Sequence, residues 1–506
     1  IENGVLISYS GSDAEIIIPS SVTKIADSVF KGNTVITKVT LPENLVSVGA
    51  QAFMGCTKLT EISMPDTVIE IGTECFSGCK AVKTAKLSSA LKNISDKAFY
   101  NCEALTSVIW PSAYERIGDS AFYKCAKITS LSLPESVRRI EDNAFYSTKK
   151  TAVTKLALPE NLEYIGTNAF RYLGVGELII PDCYEEELFE NAEVSKFSPF
   201  YYCQATKVVM PSGWTRIPDY LCYYMTKLKS IEFPDGITEI GVSSFFNCTA
   251  ITEIVIPDSV VTLGSNCFAY CKGVKKLVIP EGIENLPDRL LDQSQITTIT
   301  IPSSVVTIGS QCFHKSTKLT EVVFAQGSRL ETIGANAFNG CTSLTSFVMP
   351  DTVTSVGTSA LAGNTKLKEL HISESLVEFV GINPLANSAI EEIVFPESYT
   401  GHIGSSQVCG NMKKLKKATF RNNIISVSNT TFLNCTALET VVFEKNVQYA
   451  LAVGSGLTSL REIEFKGSIK QLYGRSFYQC LNLKSVSFND VEKITGYVGR
   501  ESGIET

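Results

Sequence analysis

Large apolar residues return along this chain in one phrase, LxxIxL, whose last two apolar positions flank a single position of varied character. It reads Ile36, Val39, Leu41, then Leu59, Ile62, Met64, and near the end Leu438, Val441, Phe443, then Leu460, Ile463, Phe465, then Leu483, Val486, Phe488, in about twenty copies. Alternation at period two over so few residues predicts a short strand with one buried face. A second apolar phrase, VxxIG followed by AFxxC, lies between the copies, and its aromatic is the clearest landmark: Phe30, Phe53, Phe76, Phe99, Phe122 and Phe145 are 23 residues apart. Proline followed by Asp, Glu or Ser separates the two phrases and marks where the first strand ends, because proline cannot donate to a ladder. AFxxC is too short for a stable helix of its own and predicts one 3₁₀-like turn. The glycine before it, Gly49 or Gly72, predicts a bend.

A fixed period in the range of about 20 to 29 residues with an LxxLxL core is the mark of a leucine-rich solenoid. The expected fold is a β-rich leucine-rich-repeat solenoid of about twenty turns of ~23 residues, with a curved parallel sheet, short 3₁₀ turns and little α-helix. Residues 1–21 read as an N-terminal cap, hairpin-like around Ser10-Gly11-Ser12-Asp13, and residues 22–489 as the solenoid. A long insert at 182–199 carries Asp182, Glu185, Glu186, Glu187, Glu190 and Glu193 and predicts an acidic projecting loop, with a cation site as its functional reading and a solvated turn as its plain one. Residues 490–506 read as an incomplete further repeat of a chain expected to continue.

Charge and cysteine content narrow the chemistry. The net charge is −7 over 506 residues with acids and bases interspersed, so no basic stripe points to nucleic acid. No apolar run approaches the roughly 18 to 20 residues of a membrane span. Ten of the sixteen cysteines sit three residues after the landmark, at Cys56, Cys79, Cys102, Cys125, Cys203, Cys248, Cys271, Cys341, Cys435 and Cys480. That spacing spreads the thiols along a stack and does not converge them on a metal. They are expected as buried thiols bonded weakly to the turn, with Cys75–Cys79 and Cys267–Cys271 the pairs placed for an opportunistic disulfide. The three histidines, His314, His371 and His402, stand apart and read as surface or turn residues. No nucleophile elbow or phosphate loop is present, so the expectation is no enzyme, no catalytic residue, no metal and no cofactor.

A binding function has one obvious place, the outward position between the last two apolar residues of LxxIxL. Early copies put Thr40, Ser63, Lys86 and Ser132 there, whereas later ones put Ile179, Val209, Val255, Val278, Val323, Val348, Val394 and Val442. A contiguous apolar stripe on a sheet marks an interaction surface, while β-propensity alone accounts for isolated valines. The candidate binding residues are Val209, Val255, Val278, Val323, Val348 and Val394, with Glu253, Lys276 and Glu321 as polar rim, joined by Glu369 and Glu392.

The phrases IGTECFSGC (71–79), IGDSAFYKCAKITSLSLPESV (117–137) and IGANAFNGCTSLTSFVMPDTV (333–353) resemble the BspA-like class of leucine-rich repeat. That resemblance implies a curved solenoid of extracellular or cell-surface proteins of host-associated bacteria and some parasitic protists, with members linked to adhesion to host cells and matrix glycoproteins, and it carries over no catalytic motif. The expected function is a surface or secreted scaffold, a monomer, binding a host or neighbouring-cell protein or glycoprotein through the exposed sheet face, without nucleic acid and without membrane insertion. A passive spacer that presents another domain is one alternative. A carbohydrate-binding or carbohydrate-degrading solenoid is the other, and it needs aromatic platforms or clustered carboxylates on one face.

Overall fold

The structure is a computed structural model that describes residues 1–147, 153–189, 198–400, 403, 407–428 and 430–498. Its residues form two compact units, Ile1–Ile251 and Thr252–Thr506, and each is a stack of parallel β-solenoid turns. Most turns contribute two short strands, although the LxxIxL copies at 128–133 and 228–233 form no strand. In the first unit LxxIxL gives Glu61–Ser63, Thr84–Lys86 and Ser107–Ile109, paired in parallel with Glu61 opposite Thr84 and Thr84 opposite Ser107. The VxxIG phrase gives two-residue strands, among them Asn93–Ile94, Arg116–Ile117, Arg139–Ile140 and Tyr164–Ile165, again parallel and in register. The second unit repeats both rows, the first in Glu253–Val255 beside Lys276–Val278 and Glu392–Phe395 beside Lys417–Phe420, the second in Thr332–Ile333 beside Ser355–Val356. Helix is almost absent among the described residues, a 3₁₀ segment at Glu186–Phe189 being the longest.

AFxxC does not form the expected 3₁₀ turn. It makes two successive β-turns, with Met54 N–H donating to Gln51 O at 3.0 Å and Cys56 N–H to Phe53 O at 3.1 Å. The N–H groups of Gln51, Phe53 and Gly55 instead reach the next turn, at Thr73, Cys75 and Ser77. Splitting its donors this way forces a left-handed backbone two residues before the landmark, as at Gln51 (φ 56°) and Lys97 (φ 55°), and again two residues after it, as at Gly55 (φ 75°). Inter-turn bonding thus outweighs the local preference for a helical turn. The glycine that ends the second strand also has a different cause from the one expected. A Cβ on Gly49 would lie 2.6 Å from Ala26 C, so close approach of successive backbones excludes a side chain there.

The core of the first unit is a column of rings. Phe30, Phe53, Phe76, Phe99, Phe122 and Phe145 stack face to face with centroids between 4.8 and 5.5 Å apart, and Phe170 and Phe200 extend the column. In the second unit the landmark passes to Leu361, Leu385 and Cys409, and the rings move to the strand, where Phe395, Phe420, Phe443 and Phe465 stack at 4.6, 5.3 and 4.9 Å. Where the landmark ring is lost, aromatic mass thus stays in the core on another wall.

At the N-terminus, the hairpin reading fails. Val5–Leu6 pairs in parallel with Lys24–Ile25, and Glu15–Ile17 with Lys38–Thr40. Strands this short gain more from the open ladder of the next turn than from each other. The described part of the acidic insert is anchored as well as exposed. Phe189 is buried, 5.7 Å from the Trp214 ring and 6.1 Å from Phe200, and Asp182 accepts the Ser212 N–H at 2.7 Å. Glu190 and Glu193 lie outside the described residues, as does His402.

Candidate binding surface

Alternation along each strand of the second unit buries one residue and exposes the next. Ile254, Leu277, Ile299, Val322, Phe347 and Ile393 point into the core. The residues that follow face out: Val255 is 52% exposed, Val278 39%, Val323 40%, Val348 60% and Val394 43%. Register sets Val255 beside Val278, Thr300 beside Val323, and Val348 beside His371. The stripe is thus valine interrupted by Thr300 and His371. Two predicted members differ. Val209 is half-buried and belongs to the other unit, where it pairs with Ile179, and Val442 is only 7% exposed.

A second outward row lies two residues earlier on the same strands. It holds Glu253, Lys276, Glu321, Glu369 and Glu392, all exposed. The Lys276 ammonium meets the Glu253 carboxylate at 2.6 Å across the register pair and Lys417 stands opposite Glu392, which leaves Glu321 and Glu369 as the acidic part of this rim. An exposed pair of this kind adds at most about 1 kcal/mol.

The stripe deepens at one point. The landmark interval from Phe313 to Phe338 is 25 residues, and the two extra residues raise the turn Ala325–Ser328 beside the sheet. Gly327 (φ 76°) allows the reversal, and the Thr352 hydroxyl, donating to Leu330 O at 2.6 Å, ties the turn to the next repeat. With Pro350–Thr352 opposite, this wall makes a groove of about 550 Å³ floored by Val323 and Val348 and edged by Glu321 and Asp351. His371 Nε2 lies 3.7 Å from the Asp351 carboxylate at its margin. Such a groove accepts an aliphatic side chain, and its edge favours a basic neighbour.

The predicted cysteine ladder is present, and the sixteen cysteines stand as free thiols. Cys56 donates to Phe30 O at 3.2 Å, Cys79 to Phe53 O at 3.2 Å and Cys341 to Phe313 O at 3.3 Å. Burial pushes Cys56 up to about 11 and Cys341 up to about 12. These thiols close the turn and are not nucleophiles. His314 sits in a turn with Nδ1 3.0 Å from the buried Asp292 carboxylate. Among the described residues no group of His, Cys, Asp and Glu is placed to hold a metal ion, and no helix is long and apolar enough to cross a membrane.

One surface of the first unit was not anticipated. The residue after each landmark forms an outward row, Tyr100, Tyr123, Tyr146, Arg171, Tyr201, Tyr223 and Phe246, all half-buried. Tyr100 and Tyr123 stack at 4.9 Å, Tyr123 and Tyr146 at 4.6 Å, Tyr201 and Tyr223 at 5.4 Å. Arg171 fills the gap, its guanidinium 5.4 Å from the Tyr146 ring and 4.7 Å from Tyr201. Tyr172, Tyr202 and Tyr224 form a second row beside it, spaced 5.0 and 4.5 Å. The signal was in the sequence, since Tyr100, Tyr123 and Tyr146 keep the 23-residue spacing. It lies in the arc, outside the strand slot whose alternation tells which side chains point out.

Two parallel strand rows joined by a hydrogen-bonded arc, turn after turn, define a leucine-rich-repeat β-solenoid. A family model described as the BspA type leucine rich repeat region matches in six copies, at residues 8–126, 70–194, 193–320, 284–406, 331–452 and 401–505. The chain belongs to this BspA-type leucine-rich repeat family. Similar solved structures include a leucine-rich repeat protein from Bacteroides ovatus, 22% identical over 86% of this chain and 83% of that one, with a TM-score of 0.35. A leucine-rich cell surface protein from Faecalibacterium prausnitzii is 22% identical over 72% and 89%, with a TM-score of 0.37. The pneumococcal vaccine antigen PcpA is 18% identical over 97% and 91%, with a TM-score of 0.30. No curated protein matches the chain.

Proposed function

We propose that this chain is a cell-surface or secreted interaction scaffold that binds a host or neighbouring-cell protein or glycoprotein through the outward sheet face of its second unit. The observation that carries the reading is the exposed valine row Val255, Val278, Val323, Val348 and Val394, deepened at Val323 and Val348 and bordered by carboxylates. Apolar area on a rigid sheet gives affinity without ordering cost, and the acidic border selects a partner segment with a basic residue beside an aliphatic one. Val209 belongs to the other unit, where it is proposed by itself as an outward residue beside Ile179. Family membership supports a scaffold over an enzyme, and the spacer alternative predicts a sheet face that binds nothing.

The test is binding of the purified chain to immobilised matrix glycoproteins and mucin, beside a Val323→Asp/Val348→Asp variant with unchanged near-UV circular dichroism. Two carboxylates placed on the groove floor are expected to weaken binding by at least about tenfold. Equal binding by both forms would remove the sheet face from the proposal, and no binding by either would favour the spacer.

A further inference from the structure

Arg171 occupies a position that its neighbours give to tyrosine. The guanidinium lies between the Tyr146 and Tyr201 rings, with Nε buried and Nη2 donating to the Tyr172 hydroxyl, so the N–H groups of Nη1 and the second one of Nη2 are the donors left for a ligand. Arg116 takes Asp96 and Glu141, and Arg216 takes Asp219 and Glu239. Arg171 takes no carboxylate among the described residues: its contacts are tyrosine rings and one hydroxyl, that of Tyr172, to which Nη2 donates at 3.5 Å. Its Nε is buried without an acceptor. A guanidinium with no carboxylate partner among the described residues, in a half-buried aromatic setting, attracts an anion, because the surrounding rings supply little competing solvation.

Lys124 lies 5.4 Å over the Tyr123 ring on the same face. Tyr172 (φ 58°), Tyr202 (φ 56°) and Tyr224 (φ 62°) take the left-handed position that the arc imposes on each turn, filled by Gly32, Gly55 and Gly78 in earlier repeats and by Asn101 and Lys124 in others. The stacked rings cover one another's faces, so the column presents edges and hydroxyls at intervals of 4.6 to 5.4 Å around one cation.

We infer that this tyrosine and arginine column is a binding site for an acidic glycan, with a carboxylate on the edge of Arg171 and sugar hydroxyls against the neighbouring phenols. A carboxylate matches the two parallel N–H groups of the fork, and a polyol matches a row of hydroxyls that both donate and accept. The site is separate from the valine face and does not depend on it.

The experiment is calorimetric titration of the whole chain with a glucuronic-acid oligosaccharide and with a neutral glucose oligosaccharide of the same length. The acidic oligomer is expected to bind at least about tenfold tighter, with the preference shrinking as salt rises. Arg171→Gln is expected to lose about 10- to 100-fold. Arg171→Lys keeps the charge and loses the fork, so it falls between, and it keeps the question open to test if the glutamine variant does not fold. Tyr172→Phe and Tyr201→Phe remove only hydroxyls and are expected to lose a few-fold. Equal affinity for both oligomers, no binding of either at millimolar concentration, or an Arg171→Gln variant and an Arg171→Lys variant indistinguishable from the parent would each overturn the assignment. Inorganic sulfate binding as tightly as the oligomer would also overturn it, leaving a simple anion site.

Discussion

In Ile1–Ile251 the outward strand slot is mixed, with Thr40, Ser63, Lys86 and Ser132 exposed in the same row as Ile17, Ile109, Ile179 and Val209, while the arc after the landmark carries seven stacked groups from Tyr100 to Phe246. In Thr252–Thr506 the strand slot is mostly valine from Val255 to Val394, broken by Thr300 and His371, and the same arc position holds Ala269, Asp292, His314, Asn339 and Ala362. One repeat thus supports two decorations on different faces. Both units share what a turn needs in order to stack, namely buried apolar positions, a close-approach glycine and a hydrogen-bonded arc. Only the positions that packing leaves open differ, and there chemistry can vary without cost to the fold.

The largest effect should be common to both units, through the thiol ladder. Burial raises Cys56 in the first unit and Cys480 in the second to about 11, against about 8.5 in an unfolded chain. Folded stability from each thiol is therefore complete below about pH 8.5 and is lost as pH rises toward 11, at about 1.4 kcal/mol per unit per thiol. Summed over the ladder, this predicts unfolding between pH 9 and 11, read as a collapse of the urea midpoint. A midpoint equal at pH 7 and pH 10 would show that the thiols are not buried as described.

Next come the ring columns. Phe122→Ala in the first unit and Phe420→Ala in the second should each cost about 3 to 5 kcal/mol. Phe122 stacks at 5.2 and 5.3 Å on its neighbours, and Phe420 at 4.6 and 5.3 Å. Similar losses would confirm that moving the rings from landmark to strand preserved the core, and a small loss at Phe420 would break that equivalence. Replacing a ladder thiol by hydroxyl is milder. Cys125→Ser and Cys341→Ser should change stability by about 1 kcal/mol, because Ser316 already fills this slot and donates to Leu291 O at 3.4 Å. Smallest is Val278→Asp, where the exposed site predicts a shift within about 0.5 kcal/mol. Labelling of the native protein should modify Cys183, the exposed thiol, before any other. Fast labelling of a second site would locate a turn that opens.

Much of this was legible before any coordinates. The phrase around Leu59, Ile62 and Met64 places its strand at Glu61–Ser63 with all three apolar side chains buried, because alternation and burial are properties of neighbouring residues. The outward valines were legible for the same reason. The groove was not. It depends on which side the two extra residues before Leu330 are raised, and on a hydroxyl one repeat away, at Thr352, that holds them. The tyrosine column was hidden by the arc. Outside strands and helices there is no simple period that tells which side chain points out, and here left-handed residues at Gln51 and Gly55 set those directions.

By itself, then, the sequence determined the repeat, the parallel solenoid, the buried residues and the outward strand row, since each follows from local alternation multiplied by a constant period. Only the tertiary structure decided that Arg171 stands between Tyr146 and Tyr201, that Val323 and Val348 floor a groove, that Val442 is buried, and that the Gly49 position excludes a side chain. Those facts depend on distances between turns some two dozen residues apart in the chain. Stacking sets such distances through backbone hydrogen bonds and steric contact, which no single turn contains.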